Sequence, residues 1–139
     1  CLTIRPPLSF VRNFIVEKNG DHRNTLNIKE SGIAPVVDFA RLMSLKHGIR
    51  ESNTLERLQL LAEHGYISTE LYTESTEAYE FLMQLRLVHQ LHLLEIGHVP
   101  DNYIKPADLS DLEKSTLNEA FEVIRRIQSS IQSEFRLRD

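Results

Sequence analysis

The longest uninterrupted apolar pattern in the chain runs from Thr76 to Gly97. This stretch contains no proline, meets its first glycine only at its end, and is made mostly of good helix formers, so it predicts one helix roughly 30 Å long. Ala78, Phe81, Leu82, Leu85, Val88, Leu91 and Leu94 fall on one broad face, and Leu87, Leu93 and Ile96 fill in around it. A helix apolar on nearly every side is expected at the centre of a bundle, with neighbours on several sides. Arg86, His89 and Gln90 interrupt that pattern, and spacings of three and four place them together on one side.

The remaining pattern supplies partners for this axial helix. Leu8, Phe10, Val11, Phe14 and Ile15 follow Pro6-Pro7 at helical spacing, which predicts a short helix ending near Glu17. Residues 22–29 alternate weakly and predict an extended segment or short hairpin, closed by Ser31-Gly32. From Pro35, an apolar stripe of Val36, Val37, Phe39, Ala40, Leu42, Met43 and Leu45 predicts a helix ending at Gly48. Asn53 with Glu56 reads as a helix start, and Leu55, Leu58, Leu61 and Ala62 face inward to His64-Gly65. Ser68 to Ser75 reads as a connector or an extra turn. After a turn-rich loop over 98–106, Ser110 and Glu113 form a capping box. Behind it Leu117, Ala120, Phe121, Ile124, Ile127, Ile131 and Phe135 repeat every three or four residues, as in a long amphipathic helix. The expected fold is all-α, an antiparallel bundle of about five helices with a four-helix core.

At 139 residues the chain fits one domain, 1–139. A net charge of −4 gives no footprint for duplex nucleic acid. The apolar runs are too short and interrupted to span a bilayer, and the N-terminus lacks a secretory layout, so the expected location is cytoplasmic. The one cysteine, Cys1, excludes an internal disulfide framework and any multi-cysteine zinc site. A start at Cys rather than Met leads us to expect a C-terminal fragment of a longer multidomain protein.

Several catalytic signatures are missing. There is no phosphate-cradling glycine loop, no Gly-x-Ser-x-Gly elbow and no Asp-x-Asp pair for catalytic magnesium, and the one Asp-x-Glu, Asp111-Leu112-Glu113, falls in the capping box of a helix start. The fragment is therefore expected not to catalyse alone, with no catalytic residues, no metal and no cofactor of its own. His89, His92 and Glu95 are spaced by three, but a regular helix turns such a series away from a common point. Arg86 and His92 enclose five residues and resemble the Arg-x(4–6)-His signature of HEPN ribonucleases. That alternative needs a break in the helix near Gln90.

Taken in order, Pro6-Pro7-Leu8-Ser9-Phe10, Leu26-Asn27-Ile28-Lys29, Gly32 to Arg41, Asn53 to Leu58, Leu85 to Gln90, Pro100-Asp101-Asn102 and Leu109-Ser110 resemble the nucleotidyltransferase substrate-binding domain. This family occurs at the C-terminus of bacterial signalling proteins with CBS and nucleotidyltransferase-like regions. Asn27 stands where the family usually has an acid. The resemblance implies a bundle docked beside an upstream nucleotidyltransferase domain similar to those of protein-PII uridylyltransferases. That upstream domain would hold the nucleoside triphosphate and magnesium, and this one would bind a protein or small-molecule acceptor or the nucleotide. It also implies a polar set of Lys29, Asp38, Arg41, Asn53, Arg57, Arg86, His89, Gln90 and Asn102. The residues themselves leave the bland readings open: a surface ion pair for Asp38 with Arg41, a helix cap for Asn53, a turn residue for Asn102, and solvated charges for Lys29 and Arg57. A structural bundle that joins regulatory domains or forms a homodimer is the reading from a different class.

Overall fold

In the computed structural model, the residues described are His22 and 24–135. The expected helix over residues 8–17 lies outside them. The chain enters through β1 (Leu26–Asn27) and a wide helical turn (Lys29–Ile33) that runs directly into α1 (Ala34–His47). Then follow α2 (Thr54–Glu63), α3 (Thr69–Glu95), β2 (Tyr103–Ile104), a short turn at Pro106–Asp108, and α4 (Asp111–Phe135). The described residues thus supply four long helices to the mostly helical fold, rather than about five.

Burial follows the apolar periodicity. Val36, Phe39, Ala40 and Met43 of α1, Leu58 and Leu61 of α2, and Leu117, Phe121, Ile124 and Ile127 of α4 are buried in one core with Leu82 of α3. The helix α3 packs against α2 and α4, while α1 packs against α2 and α4. Ser110 and Glu113 make the reciprocal capping box, with the Glu113 amide 3.1 Å from Ser110 Oγ and the Ser110 amide 2.8 Å from Glu113 Oε1. Both expected helix starts, at Asn53 and at Pro35, are found.

Three expectations are corrected. First, α3 begins at Thr69, so 68–75, read as a connector or an extra turn, is helical and adds about two turns rather than one; Ser68 Oγ accepts the Leu71 amide at 3.0 Å and caps the start. Second, Ser31-Gly32 does not close a section. A Cβ on Gly32 would lie 3.2 Å from both terminal methyls of Leu82, so the glycine lets this turn approach α3 closely. Third, α3 is not covered all round. Ala78, Leu82 and Leu85 are buried, whereas Leu87, Val88, Leu91, Leu94 and Ile96 are exposed. No helix among the described residues is long and apolar enough to cross a membrane.

The loop that leaves α3 is set by Gly97, whose φ of 77° is a left-handed conformation that favours glycine. There the His98 amide donates back to Leu93 O at 2.8 Å. The chain reverses and lays residues 101–104 beside the upper part of α3. It then pairs with β1 antiparallel, Leu26 opposite Ile104 and Asn27 opposite Tyr103. Two segments distant in sequence are thereby fixed against the same helix.

Candidate functional site: a loop clamped to the axial helix

Arg86, His89 and Gln90 share one side of α3, and the loop at Asp101-Asn102 is what they hold. Arg86 Nε donates to Asn102 Oδ1 at 2.7 Å, and Gln90 Nε2 donates to the same oxygen at 3.2 Å. Gln90 Nε2 also reaches Asp101 O at 3.2 Å. His89 Nε2 lies 2.8 Å from Asp101 Oδ1, which also accepts the Tyr103 amide at 3.0 Å. A carboxylate only accepts, so Nε2 of His89 carries the proton in this contact. The main chain completes the clamp, because Asn102 O accepts the Ile28 amide at 2.9 Å. Asn102 thus joins α3, through its side chain, to the segment after β1, through its backbone.

Electrostatics follow from this geometry. Burial pushes the Asp101 carboxyl upward, but hydrogen bonds from His89 and the Tyr103 amide, with the nearby charges of His89 and His22, outweigh it and leave the group below its ordinary value. Asp101 therefore stays ionised under neutral conditions. Next to it, His22 stacks on Tyr103 with ring centroids 3.6 Å apart and planes 8° from parallel.

The clamped loop forms one side of an open cavity of about 840 Å³. Its apolar lining comes from Leu85, Val88 and Leu93 of α3 with Ile96, Ile104 and Leu109, and polar side chains, His89, His92, Asp101 and Tyr103 among them, make up the larger part of the lining residues. The volume falls within the range of small-molecule sites. A smaller groove of about 280 Å³ between α3 and α4 has four glutamates in its lining and is crossed by an Arg126–Glu74 ion pair at 2.7 Å.

Of the nine residues nominated from the sequence, the structure brings together Arg86, His89, Gln90 and Asn102. The others lie elsewhere in hydrogen-bonding terms. Asp38 pairs with Arg41 at 3.0 Å along α1. Asn53 Oδ1 accepts the Glu56 amide at 3.1 Å and caps α2. Arg57 Nε donates to Glu51 O at 2.6 Å, and Lys29 is exposed where the first helical turn begins. Among the nominated set only His89 lines the cavity. Asn27, in place of the family's acid, accepts the Glu30 amide at 3.1 Å, a capping task that an amide oxygen performs as well as a carboxylate.

The sequence reading did not nominate Asp101 or Tyr103. Asp101 sits in a Pro-Asp-Asn turn, where an aspartate that bonds the amide two residues on is ordinary turn chemistry, and that was the available signal. The His22 contact joins residues far apart in sequence and had none. For the ribonuclease alternative, α3 runs unbroken through Gln90 from Thr69 to Glu95, so Arg86 and His92 stay six residues apart on a regular helix. Among the described residues, no group of three or more His, Cys, Asp or Glu is placed to hold a metal ion.

Fold and site together define a helical module built to hold a shaped, open cavity against one long helix, with a loop fastened by side-chain bonds as its wall. The chain belongs to the family described as "Putative nucleotidyltransferase substrate binding domain", which it matches over residues 1–135. No curated protein and no solved structure matches it.

Proposed function

We propose that this chain is the acceptor-binding accessory domain of a nucleotidyltransferase, non-catalytic by itself, and that the acceptor occupies the cavity beside His89, Asp101 and Tyr103. The observation that carries this reading is the cavity itself: its size suits a small molecule or a protein side chain, and its loop wall is held in place by Arg86, His89, Gln90 and Asn102. Arg86 and Gln90 then act as positioning residues, while His89 both holds the loop and faces the ligand. The nucleoside triphosphate and magnesium are assigned to an adjoining nucleotidyltransferase domain of the same polypeptide, consistent with the one Asp-x-Glu of this sequence lying at the start of α4, where Glu113 accepts the Ser110 amide. In this reading the parent is a bacterial signalling protein with CBS regions, similar to protein-PII uridylyltransferases.

The test uses the parent polypeptide and labelled nucleoside triphosphate with magnesium. Asn102→Ala and His89→Ala are expected to raise KM for the acceptor and leave KM for the triphosphate unchanged. Transfer by the 139-residue chain alone, or variants that alter only triphosphate binding, would refute it. A second reading, a structural bundle that joins domains, is favoured by one observation: the head groups of Arg86 and Gln90 are engaged by the chain's own loop. Unchanged acceptor kinetics in a correctly folded Asn102→Ala parent would select it.

A further inference from the structure

Asp101 fastens its loop with one oxygen and keeps the other for something else. Its Oδ1 accepts both the His89 Nε2 proton at 2.8 Å and the Tyr103 amide at 3.0 Å. Oδ2 accepts no hydrogen bond from the described residues, and the side chain, in the cavity wall, is 36% exposed. An ionised carboxylate accepts through both oxygens, so Oδ2 has capacity left for a ligand. The two bonds on Oδ1 restrain the group, which holds Oδ2 in place before anything binds. The charges around it are of one sign where they are least screened. The cavity is lined by one lysine, Lys105, and three carboxylates, Asp101, Asp108 and Glu113. Lys105 and Asp108 are exposed, where water and salt weaken both, whereas Asp101 and Glu113 are half-buried. One cation against three anions leaves −2 with the histidines neutral, and −1 with His89 charged by its contact with Asp101.

We propose that the acceptor is a small molecule carrying a protonated amine on an apolar body. Its ammonium donates to Asp101 Oδ2, and its body takes the apolar lining of Val88, Leu93 and Ile96. A neutral ligand seated over Oδ2 would strip water from a charge that the fold keeps ionised and return only a neutral hydrogen bond. An anion would be repelled by it. A cation replaces the lost hydration and forms the stronger, charge-assisted bond. The cation is not a metal ion, because among the described residues no three His, Cys, Asp or Glu side chains converge to hold one. At about 840 Å³ the cavity lies toward the upper end of small-molecule sites and has more room than one side chain of a protein acceptor fills. This inference rests on the reading of the cavity as the acceptor site and adds to it the charge of what enters.

Amide chemical shifts of the 139-residue chain, followed at neutral pH as phenylbutylamine, phenylbutanol or phenylbutanoate is added, test this. The three probes share a body and differ in the charge of the head. The amine is expected to shift the Asp101 and Tyr103 amides and to bind about ten-fold tighter than the alcohol, with the carboxylate weakest. Asp101→Asn is expected to bind the alcohol as before and to lose the preference for the amine, because the asparagine oxygen can still accept from His89 and Tyr103 while an N–H₂ replaces Oδ2. If Asp101→Asn loses its helical circular dichroism, the order of the three probes on the wild-type chain decides alone. Alcohol or carboxylate binding at these amides as tightly as the amine would overturn the cationic class and leave the cavity as the acceptor site. A folded Asp101→Asn that keeps the preference would also overturn it. Shifts that fall elsewhere with all three probes, or none at all, would overturn both readings.

Discussion

Replacing Asn102 by alanine isolates the clamp, because one side-chain oxygen serves two donors. The substitution removes the 2.7 Å bond from the Arg86 guanidinium and the 3.2 Å bond from the Gln90 amide, but leaves the backbone bond from Ile28 in place. A neutral hydrogen bond contributes about 1 kcal/mol and one to a charged group about 1.5–3 kcal/mol. Arg86 and Asn102 are only partly buried, so water replaces some of what is lost. A loss of about 2 kcal/mol is expected, equivalent to a fall in Tm of roughly 6 °C for a chain of this size. Urea unfolding followed by circular dichroism measures it, with the midpoint falling and the m-value unchanged. A loss below about 0.5 kcal/mol would refute the view that these bonds hold the loop, since that is the scatter of ordinary surface substitutions.

Because the folded state depresses the Asp101 carboxyl below its ordinary value of 3.8, its contribution is present above that pH and is lost as pH falls through the lower folded value. Urea midpoints measured from neutral to strongly acidic pH should therefore fall less steeply at the acid end in Asp101→Asn. Gly32→Val should cost about 2 kcal/mol by overpacking against Leu82, and Gly32→Ala should cost well under half as much, because its gain in helix propensity offsets the contact; equal losses in thermal denaturation would contradict this. Ser68→Ala, which removes the cap of α3, should lower stability by about 1 kcal/mol in the same assay.

Much of the bundle was legible because burial here is periodic. In α1 and α4 the residues at three- and four-residue spacing are the ones found in the core, and the caps at Asn53 and Ser110 fall where their side-chain chemistry placed them. The start of α3 was hidden because Thr73, Ser75 and Thr76 are weak helix formers. Tertiary packing overrides that preference, with Ser75 and Ala78 buried as small residues on the inner side. Gly32 looked like a breaker for a similar reason: a missing side chain reads the same in a sequence whether it permits a turn or a close contact. The polar set on α3 was visible as a cluster, but its partner was not, since Asp101 and Asn102 reach it only through a loop reversal at Gly97. Periodicity also could not tell a covered apolar face from an uncovered one, which is why Leu87, Leu91 and Leu94 were expected inside.

The central claim is that the loop at Asp101-Asn102 is held against α3 by the side chains of Arg86, His89 and Gln90, and so keeps the cavity wall in place. Amide hydrogen exchange of the Arg86→Ala, His89→Ala double variant tests it most directly. The Tyr103 amide, bonded to Asp101 Oδ1, and the Ile28 amide, bonded to Asn102 O, should lose most of their protection, while Ile124 in the core of α4 keeps its own. Protection at Tyr103 and Ile28 equal to that of the wild type would contradict the claim.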